Sequence, residues 1–248
     1  MRLQLDGSRI LVTGAASGIG RAVAVELAQE GARLALLDRD AEALAETARL
    51  VGGALALNAD VTEETQVAAV ASAVSEAFGR LDGLVCCAGI SGPIGRGVEQ
   101  TTRAEWDAVL AVNLTGPFLM VKHTLPALRA ASAASVVFLS SDSATVASPG
   151  MTAYCASKGA VSQLARALAV DLADTGIRVN SVAPSIVDTP MSRRDLGVDG
   201  FDDAVHPVQT AAEVASQIVF LLSPRSRAIN ATAILSDFGY SALSGFPA

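Results

Sequence analysis

Cysteine, histidine and positive charge are all scarce in this sequence. Its 248 residues include three cysteines and two histidines. Cys86 and Cys87 are adjacent, so on a strand their side chains point to opposite faces, and the three thiols make no disulfide framework. No C-x-x-C motif or histidine cluster accompanies them, which argues against a bound metal. A reduced, cytoplasmic protein is expected.

Acidic residues outnumber basic residues. Lysine and arginine total 18 against 25 aspartates and glutamates, a formal net charge of −7. Nucleic acid and anionic membranes both need a basic face, so neither is expected as a partner. No apolar run approaches the length that spans a bilayer, and residues 1–6 lack the apolar core of a signal peptide.

Apolar segments typical of buried strands alternate with helix-like segments along the chain. These segments are residues 10–12, 33–37, 54–57, 81–87, 135–140 and 177–182. The alternation predicts one doubly wound α/β domain over residues 1–248, with a parallel sheet and helices on both faces. A hydrophobic fraction of 51%, without linkers or repeats, agrees with one large core. Ligands bind at the carboxyl ends of such strands.

A glycine-rich turn follows the first of these strands. Gly14, Gly18 and Gly20 give the spacing G-x-x-x-G-x-G at the start of a helix-like segment. Glycine permits positive φ and lets the backbone approach an anion closely, while the N–H groups at the start of the helix point toward it. The turn therefore predicts a phosphate-binding site. A glycine-rich turn without a ligand is the alternative.

An aspartate ends the second predicted strand. The carboxylate of Asp38 can accept hydrogen bonds from both hydroxyls of an adenosine ribose and would repel a 2′-phosphate. NAD is therefore expected rather than NADP. Arg39 follows directly, and its guanidinium could stack on the adenine or reach toward a phosphate.

Tyr154 and Lys158 are four residues apart in a helix-like segment, which places them on one face about one turn from each other. A nearby ammonium favours phenolate over phenol, so the tyrosine can become a general base. A helix-surface pair that titrates normally is the alternative. Cys155 follows the tyrosine and is expected to pack in the interior, although oxidation of its thiol is a second possibility.

In this order the motifs resemble those of the short-chain dehydrogenase/reductase family, over residues 8–240. The resemblance implies a Rossmann-like fold and a dinucleotide held at three places. The pyrophosphate would be held by Gly14, Ser17, Gly18, Ile19 and Gly20, the adenosine by Asp38, Arg39, Asp60 and Val61, and the nicotinamide side by Ala88, Gly89, Tyr154, Lys158, Pro184, Val187 and Thr189.

Four residues fit the family's catalytic tetrad: Asn113, Ser141, Tyr154 and Lys158. The resemblance implies hydride transfer between a secondary alcohol or ketone and the nicotinamide, with Tyr154 as the general acid/base. Ser141 would orient the substrate oxygen. Lys158 would hold the nicotinamide ribose and lower the pKa of the tyrosine, assisted by the charge of the oxidised cofactor. For Asn113 the family role is a backbone carbonyl that anchors a relay water, and a local helix distortion is the alternative.

Three positions depart from the family pattern. Cys86 and Cys87 replace two asparagines before Ala88, Ser185 replaces a glycine after Pro184, and Phe238 replaces a glycine near the C-terminus. None of these changes removes a catalytic group.

The substrate is expected to contact residues 190–210, a short charged segment that we interpret as a lid. Arg193 and Arg194 could bind an anionic substrate, but the four aspartates nearby favour a solvated surface. His206 in this segment could take a direct role, whereas His123 is expected to be structural. The candidate pocket residues are Ser91, Ser143, Met191 and Phe201.

Two further functions remain open. A dinucleotide-binding sensor or interaction protein of the same fold would tolerate Tyr154→Phe without functional loss. Enoyl reduction or epimerisation is disfavoured by the tyrosine–lysine spacing and by the absence of a substrate domain. By resemblance, a homotetramer is expected, and the apolar stripe of Val161, Leu164, Leu168 and Leu172 suits helix pairing between subunits, although core packing explains the same stripe.

Overall fold

The computed structural model describes residues 3–242 as a parallel sheet with helices on both faces. The strands are β1 (Arg9–Thr13), β2 (Arg33–Asp38), β3 (Leu55–Asn58), β4 (Gly83–Cys86), β5 (Ser135–Leu139), β6 (Arg178–Pro184), β7 (Val187–Asp188), β8 (Gln209–Thr210) and β9 (Ala233–Ser236). The helices are α1 (Gly18–Gln29), α2 (Ala41–Leu50), α3 (Glu64–Phe78), α4 (Arg103–Leu110), α5 (Gly116–Arg129), α6 (Thr152–Asp171), α7 (Pro190–Leu196) and α8 (Ala211–Leu222).

The main sheet has seven strands in the order β3-β2-β1-β4-β5-β6-β9, all parallel. The direction of winding changes at β1, which pairs with β2 on one side and with β4 on the other. In an open α/β sheet this switch point leaves a crevice at the carboxyl ends of the strands, where ligands bind. The predicted doubly wound fold is confirmed.

Both faces of the sheet are buried. On one face Leu84 and Phe138 pack with α3, α5 and α6, and on the other Val85 and Val137 pack with α1 and α8. Full burial on two sides explains why the strand sequences are apolar almost throughout. The adjacent cysteines follow the same alternation: Cys86 is buried on the first face and Cys87 packs against the second.

The strand limits differ from the sequence prediction in places. Residues 81–87 were predicted as one strand, whereas β4 contains only the four residues Gly83–Cys86. The edge strand β9 and the two-residue pair of β7 and β8 were not predicted. β7 and β8 have two residues each, too few to show a period, whereas β9 is a partly buried edge strand whose short apolar run, Ala233 to Leu235, was overlooked.

A π turn at Ala111–Thr115 joins α4 to α5. The combined stretch Arg103–Arg129 is 27 residues long and, by length and composition alone, apolar enough to cross a bilayer. This finding differs from the reading of the sequence, which identified no such run. The most apolar window of the stretch is 44% buried within the chain, and a long core helix meets the same criterion.

Candidate active site

The turn between β1 and α1 is shaped by two close backbone approaches. Gly14 has a φ of +68°, and a Cβ there would lie 2.6 Å from the backbone nitrogen of Ala88. A Cβ on Gly20 would overlap the carbonyl oxygen of Gly14. Ser17 precedes α1 and makes no side-chain capping hydrogen bond, so the first N–H groups of the helix are left for another acceptor. The turn therefore fits a phosphate group.

The carboxylate of Asp38 lies beside this turn. Its Oδ2 accepts a hydrogen bond from the N–H of Ala16 at 3.0 Å, and its Oδ1 accepts one from the N–H of Asp40 at 3.0 Å. An ionised carboxylate has about four acceptor positions, so two remain for a diol such as a ribose. Arg39, the next residue, is exposed, and its backbone carbonyl accepts a hydrogen bond from the side-chain amide of Asn58 at 2.9 Å.

Asp60 and Val61 follow β3 and have different surroundings. The Oδ1 of Asp60 accepts hydrogen bonds from both the N–H and the hydroxyl of Thr62, at 2.9 and 2.8 Å. Val61 is buried, and a Cβ on Gly116 would lie 2.9 Å from its Cγ2. Asp60 thus shapes the loop, while Val61 packs against the start of α5.

The small residues after β4 lie between the glycine turn and α6, the helix of Tyr154 and Lys158. The N–H of Ala88 donates to the hydroxyl of Thr13 at 3.3 Å. A Cβ on Gly89 would lie 3.4 Å from Asn113 Oδ1 and 3.7 Å from Lys158 Nζ. A small residue at position 89 therefore leaves room between the dinucleotide turn and Lys158. Together, the glycine turn, the Asp38 carboxylate and this opening fit a bound dinucleotide.

Lys158 is buried in α6 beside Tyr154. Its Nζ donates to the carbonyl oxygen of Leu139 at 2.8 Å and lies 5.5 Å from the centre of the Tyr154 ring. Burial lowers the pKa of this ammonium to about 8, and the nearby Cys87 raises it slightly. A lysine ammonium has three N–H donors, so two remain for a ligand.

The pKa of Tyr154 is raised to about 12, chiefly by burial of the phenol. The adjacent Ser141 hydroxyl lowers this pKa, while nearby Asp142, Cys155 and Asp195 raise it. In the chain without its cofactor the net shift is upward, and the lowering of this pKa by Lys158 together with an oxidised cofactor stays a prediction. Desolvation and two carboxylates act against ionisation, and the lysine ammonium is itself buried and directed to a carbonyl.

Asn113 lies within the π turn, so a local helix distortion is present at this position. Its side-chain amide exchanges two hydrogen bonds with the backbone of Ile90: Oδ1 accepts from the N–H at 2.8 Å, and Nδ2 donates to the carbonyl at 2.9 Å. Nδ2 also donates to the hydroxyl of Ser157 at 3.0 Å, which in turn donates to the carbonyl of Tyr154 at 2.7 Å. The side chain of Asn113 thus ties the loop after β4 to α6.

Ser141 follows β5 and is buried next to the tyrosine. Its hydroxyl donates to Oδ1 of Asp142 at 2.9 Å and accepts from the N–H of Ser143 at 3.2 Å. In the chain alone the serine proton is therefore directed to a carboxylate. A substrate oxygen beside Tyr154 must compete with Asp142 for that proton.

The segment after β6 lies over the glycine turn. Pro184 ends β6 and is buried, and Thr189 caps α7 by accepting a hydrogen bond from the N–H of Ser192 at 3.2 Å. The Cγ2 of Thr189 lies 3.4 Å from a Cβ built on Gly18. The carbonyl of Val187 accepts a hydrogen bond from Ser192 Oγ. Ser185 donates its N–H to the carbonyl of Ser236 in β9 at 3.0 Å.

The two arginines of residues 190–210 lie beside aspartates. Both donor groups of Arg193 bind the carboxylate of Asp188, at 2.6 and 2.8 Å, whereas Arg194 is largely exposed. His206 is exposed and lies edge-on to the ring of Tyr240, with 5.9 Å between centroids. On the other side of the molecule, His123 contacts Glu64 at 2.9 Å. This arrangement matches the solvated-surface interpretation of the two arginines.

Sequence analysis missed one contact at this site, between Ser91 and Asp195. The hydroxyl of Ser91 donates to the carboxylate of Asp195, across 104 residues of sequence. Ser91 had been named as a pocket residue, but Asp195 had been assigned to the solvated lid. No local pattern predicts such a pair, because only the fold brings α7 over the loop that follows β4.

Comparison with known proteins identifies the family. Residues 14–241 match a family model described as Enoyl-(Acyl carrier protein) reductase. The chain is 40% identical to the 2-(R)-hydroxypropyl-CoM dehydrogenase of Xanthobacter autotrophicus, over 94% of this chain and 98% of that relative. The chain belongs to the short-chain dehydrogenase/reductase family.

Two solved structures of reductases are similar to this short-chain dehydrogenase/reductase. A levodione reductase superposes with a TM-score of 0.91 at 34% identity, covering 97% of this chain and 100% of that one. A 3-ketoacyl-(acyl-carrier-protein) reductase from Brucella melitensis, solved in complex with NADH, gives a TM-score of 0.90 at 31% identity, covering 96% and 100%. Relatives of the chain are dehydrogenases and reductases of secondary alcohols and ketones, so the predicted family is confirmed and the chain has a dinucleotide-binding fold.

Proposed function

We propose that this protein is an NAD(H)-dependent oxidoreductase that interconverts a secondary alcohol and a ketone. The observation that carries the proposal is the position of Tyr154, beside Ser141 and one helical turn from the buried Lys158, at the carboxyl edge of the sheet. A buried lysine and a phenol with raised pKa are unusual together outside a site that uses them. The family's dehydrogenases and reductases support the same reaction.

Each residue of the chain has a separate task in this mechanism. Tyr154 exchanges a proton with the substrate oxygen, and Ser141 donates a hydrogen bond to that oxygen as negative charge develops on it. Lys158 binds the nicotinamide ribose with the two N–H donors that Leu139 leaves free. The bound nicotinamide supplies the hydride acceptor or donor. The side chain of Asn113 holds the loop after β4 against α6, which keeps Ser157 and Tyr154 in place.

The state of Tyr154 favours one direction at neutral pH. With its pKa raised to about 12, the phenol is protonated and ready to donate to a ketone. Removing a proton from an alcohol requires a lower pKa, and positive charge near the ring, from Lys158 and an oxidised nicotinamide, is the physical means of lowering it.

NAD is the proposed cofactor because the carboxylate of Asp38, which accepts two backbone hydrogen bonds, retains two acceptor positions for a ribose diol and would repel a 2′-phosphate. We assign the pyrophosphate to the turn of Gly14, Ser17, Gly18, Ile19 and Gly20. Residues 190–210 are proposed to act as the lid, within a single domain. A cytoplasmic location remains part of the proposal.

We also propose a homotetramer. Large apolar side chains are exposed on the outer helices and at the edge strand: Phe118 on α5, Val170 on α6, Leu235 on β9, and Phe238 and Tyr240 after it. The predicted stripe on α6 is divided, with Val161 and Leu172 in the core and Leu164 and Leu168 half-buried against it. A second copy would cover the exposed residues. Sizing by light scattering tests this assembly, and a monomer at micromolar concentration would refute it.

Turnover of a panel of secondary alcohols and ketones tests the reaction, with NAD and NADP side by side and absorbance of the reduced nicotinamide as the signal. We expect turnover with NAD, and its loss in Tyr154→Phe while NADH still binds. Tyr240→Phe is the matched control, since the ring of Tyr240 is exposed and lies edge-on to His206. Tight NADH binding without turnover of any substrate would instead favour a dinucleotide sensor.

A further inference from the structure

The part of the lid that faces the catalytic tyrosine carries negative charge. Asp195 in α7 accepts a hydrogen bond from Ser91, and its side chain is only 17% exposed. Ser91 itself is buried at 7% exposure. The carboxylate is therefore held at a defined place inside the site. An exposed aspartate on a solvated surface would not be fixed in this way.

The nearby arginines leave most of the negative charge of Asp195 uncompensated. The nearest, Arg194, has its Nε 3.6 Å from Oδ1, and its side chain is 70% exposed, so solvent screens the pair. Arg193 is held away by its two-point contact with Asp188. The two arginines that suggested an anionic substrate thus leave the inner face of the lid acidic.

A second carboxylate lies beside Ser141. Asp142 directly follows Ser141 and accepts a hydrogen bond from its hydroxyl at 2.9 Å. Both Asp142 and Asp195 are close enough to Tyr154 for their charges to raise the pKa of its phenol. Because a substrate must place its oxygen at Ser141 and Tyr154, its neighbouring atoms come under the influence of both carboxylates.

Resting on the proposed function, we infer that Asp195 selects a secondary alcohol or ketone with a second hydrogen-bond donor, a hydroxyl or an ammonium, next to the reacting carbon. The Ser91 hydrogen bond occupies Oδ2 of Asp195, which leaves Oδ1 to accept from the substrate. An anionic group at the same place meets two like charges and is rejected. Ser91 acts as a positioning residue through Asp195.

A matched set of four-carbon substrates tests this assignment. We expect kcat/KM with NAD to fall in the order butane-2,3-diol, butan-2-ol, 3-hydroxybutanoate. Asp195→Asn keeps the size of the side chain and an acceptor for Ser91. In this variant the kcat/KM for butane-2,3-diol divided by that for 3-hydroxybutanoate should fall by about tenfold. Asp199→Asn, on the exposed part of the same segment, is the control and should leave the ratio unchanged. An unchanged ratio in Asp195→Asn would overturn the assignment.

A binding measurement separates this inference from the reaction itself. Calorimetric titration of 3-aminobutan-2-ol and of 3-hydroxybutanoate into the protein saturated with NADH requires no turnover. The ammonium compound should bind at least about tenfold more tightly, and Asp195→Asn should reduce the difference. Equal affinities would refute the inference even if butan-2-ol is oxidised. Tighter binding of the ammonium compound without turnover of any substrate would refute the proposed reaction, but it would support the selection of charge by Asp195.

Discussion

The ammonium of Lys158 lies 5.5 Å from the centre of the Tyr154 ring, and a hydrogen bond directs it to the carbonyl of Leu139. The ammonium therefore lies near the face of the ring and is not in direct contact with the phenol oxygen. Burial lowers the pKa of the lysine to about 8 and raises that of the tyrosine to about 12. Both shifts disfavour the charged forms, so this site depends on its ligands for activation of the tyrosine.

The pH dependence of turnover follows from that arrangement. Alcohol oxidation needs the ionised phenol, so its kcat/KM should rise with pH, whereas ketone reduction needs the protonated phenol and should fall with rising pH. Lys158→Met removes positive charge and should move the rising limb of the pH profile for alcohol oxidation to higher pH by about one unit. Lys122→Met, in an exposed ion pair on α5, is the control. A limb that stays in place in Lys158→Met would contradict the role of the lysine charge.

Tight packing at the phosphate turn predicts the effect of adding one methyl group. Gly14→Ala should lose stability and weaken NADH binding, because its Cβ would lie 2.6 Å from the backbone of Ala88. Gly52 has a similar φ, +77°, with nothing within 4 Å of its Cβ position, so Gly52→Ala reports the cost of the left-handed conformation alone, about 1–2 kcal/mol. Thermal unfolding and NADH titration measure both variants. Equal losses would show that the contact with Ala88 is unimportant.

Replacement of Asp38 tests the choice of cofactor. Asp38→Ala should reduce the preference for NAD over NADP in kcat/KM by about tenfold or more, since it removes both the ribose acceptor and the repulsion of a 2′-phosphate. Arg39→Ala is the comparison, and it should lower the use of NADP if the guanidinium reaches that phosphate. If the preference for NAD over NADP survives Asp38→Ala, residues other than Asp38 select the cofactor.

The aromatic residue that replaces a family glycine has a measurable conformational cost. Phe238 has a φ of +55° and is 60% exposed, so it adopts the left-handed region without the benefit of a buried ring. In the isolated subunit, Phe238→Gly should raise the free energy of unfolding by about 1 kcal/mol. Phe118→Gly, within a helix, should lower it by a similar amount. A loss of stability in Phe238→Gly would mean that the ring contributes contacts that outweigh the strain.

Much of the fold was predictable because the strands are buried on two faces. Uninterrupted apolar segments are the direct result of that burial, and they located β1, β2 and β4 to β6, while β3 was found from residues 54–57 although it is partly exposed. The edge elements were not predictable. β9 is only partly buried, and the two-residue pair of β7 and β8 depends on the path of the chain after Pro184.

The sequence alone determined the fold class, the family and the positions of the glycine turn, Asp38, Tyr154 and Lys158, because each depends on local spacing or on a strand end. The tertiary structure decided how these groups are tuned. Burial raises the pKa of Tyr154 in the chain alone, and the fold brings the hydroxyl of Ser91 to the carboxylate of Asp195, across 104 residues of sequence. Desolvation and contacts between distant segments arise only when the chain is folded, so no local pattern records them.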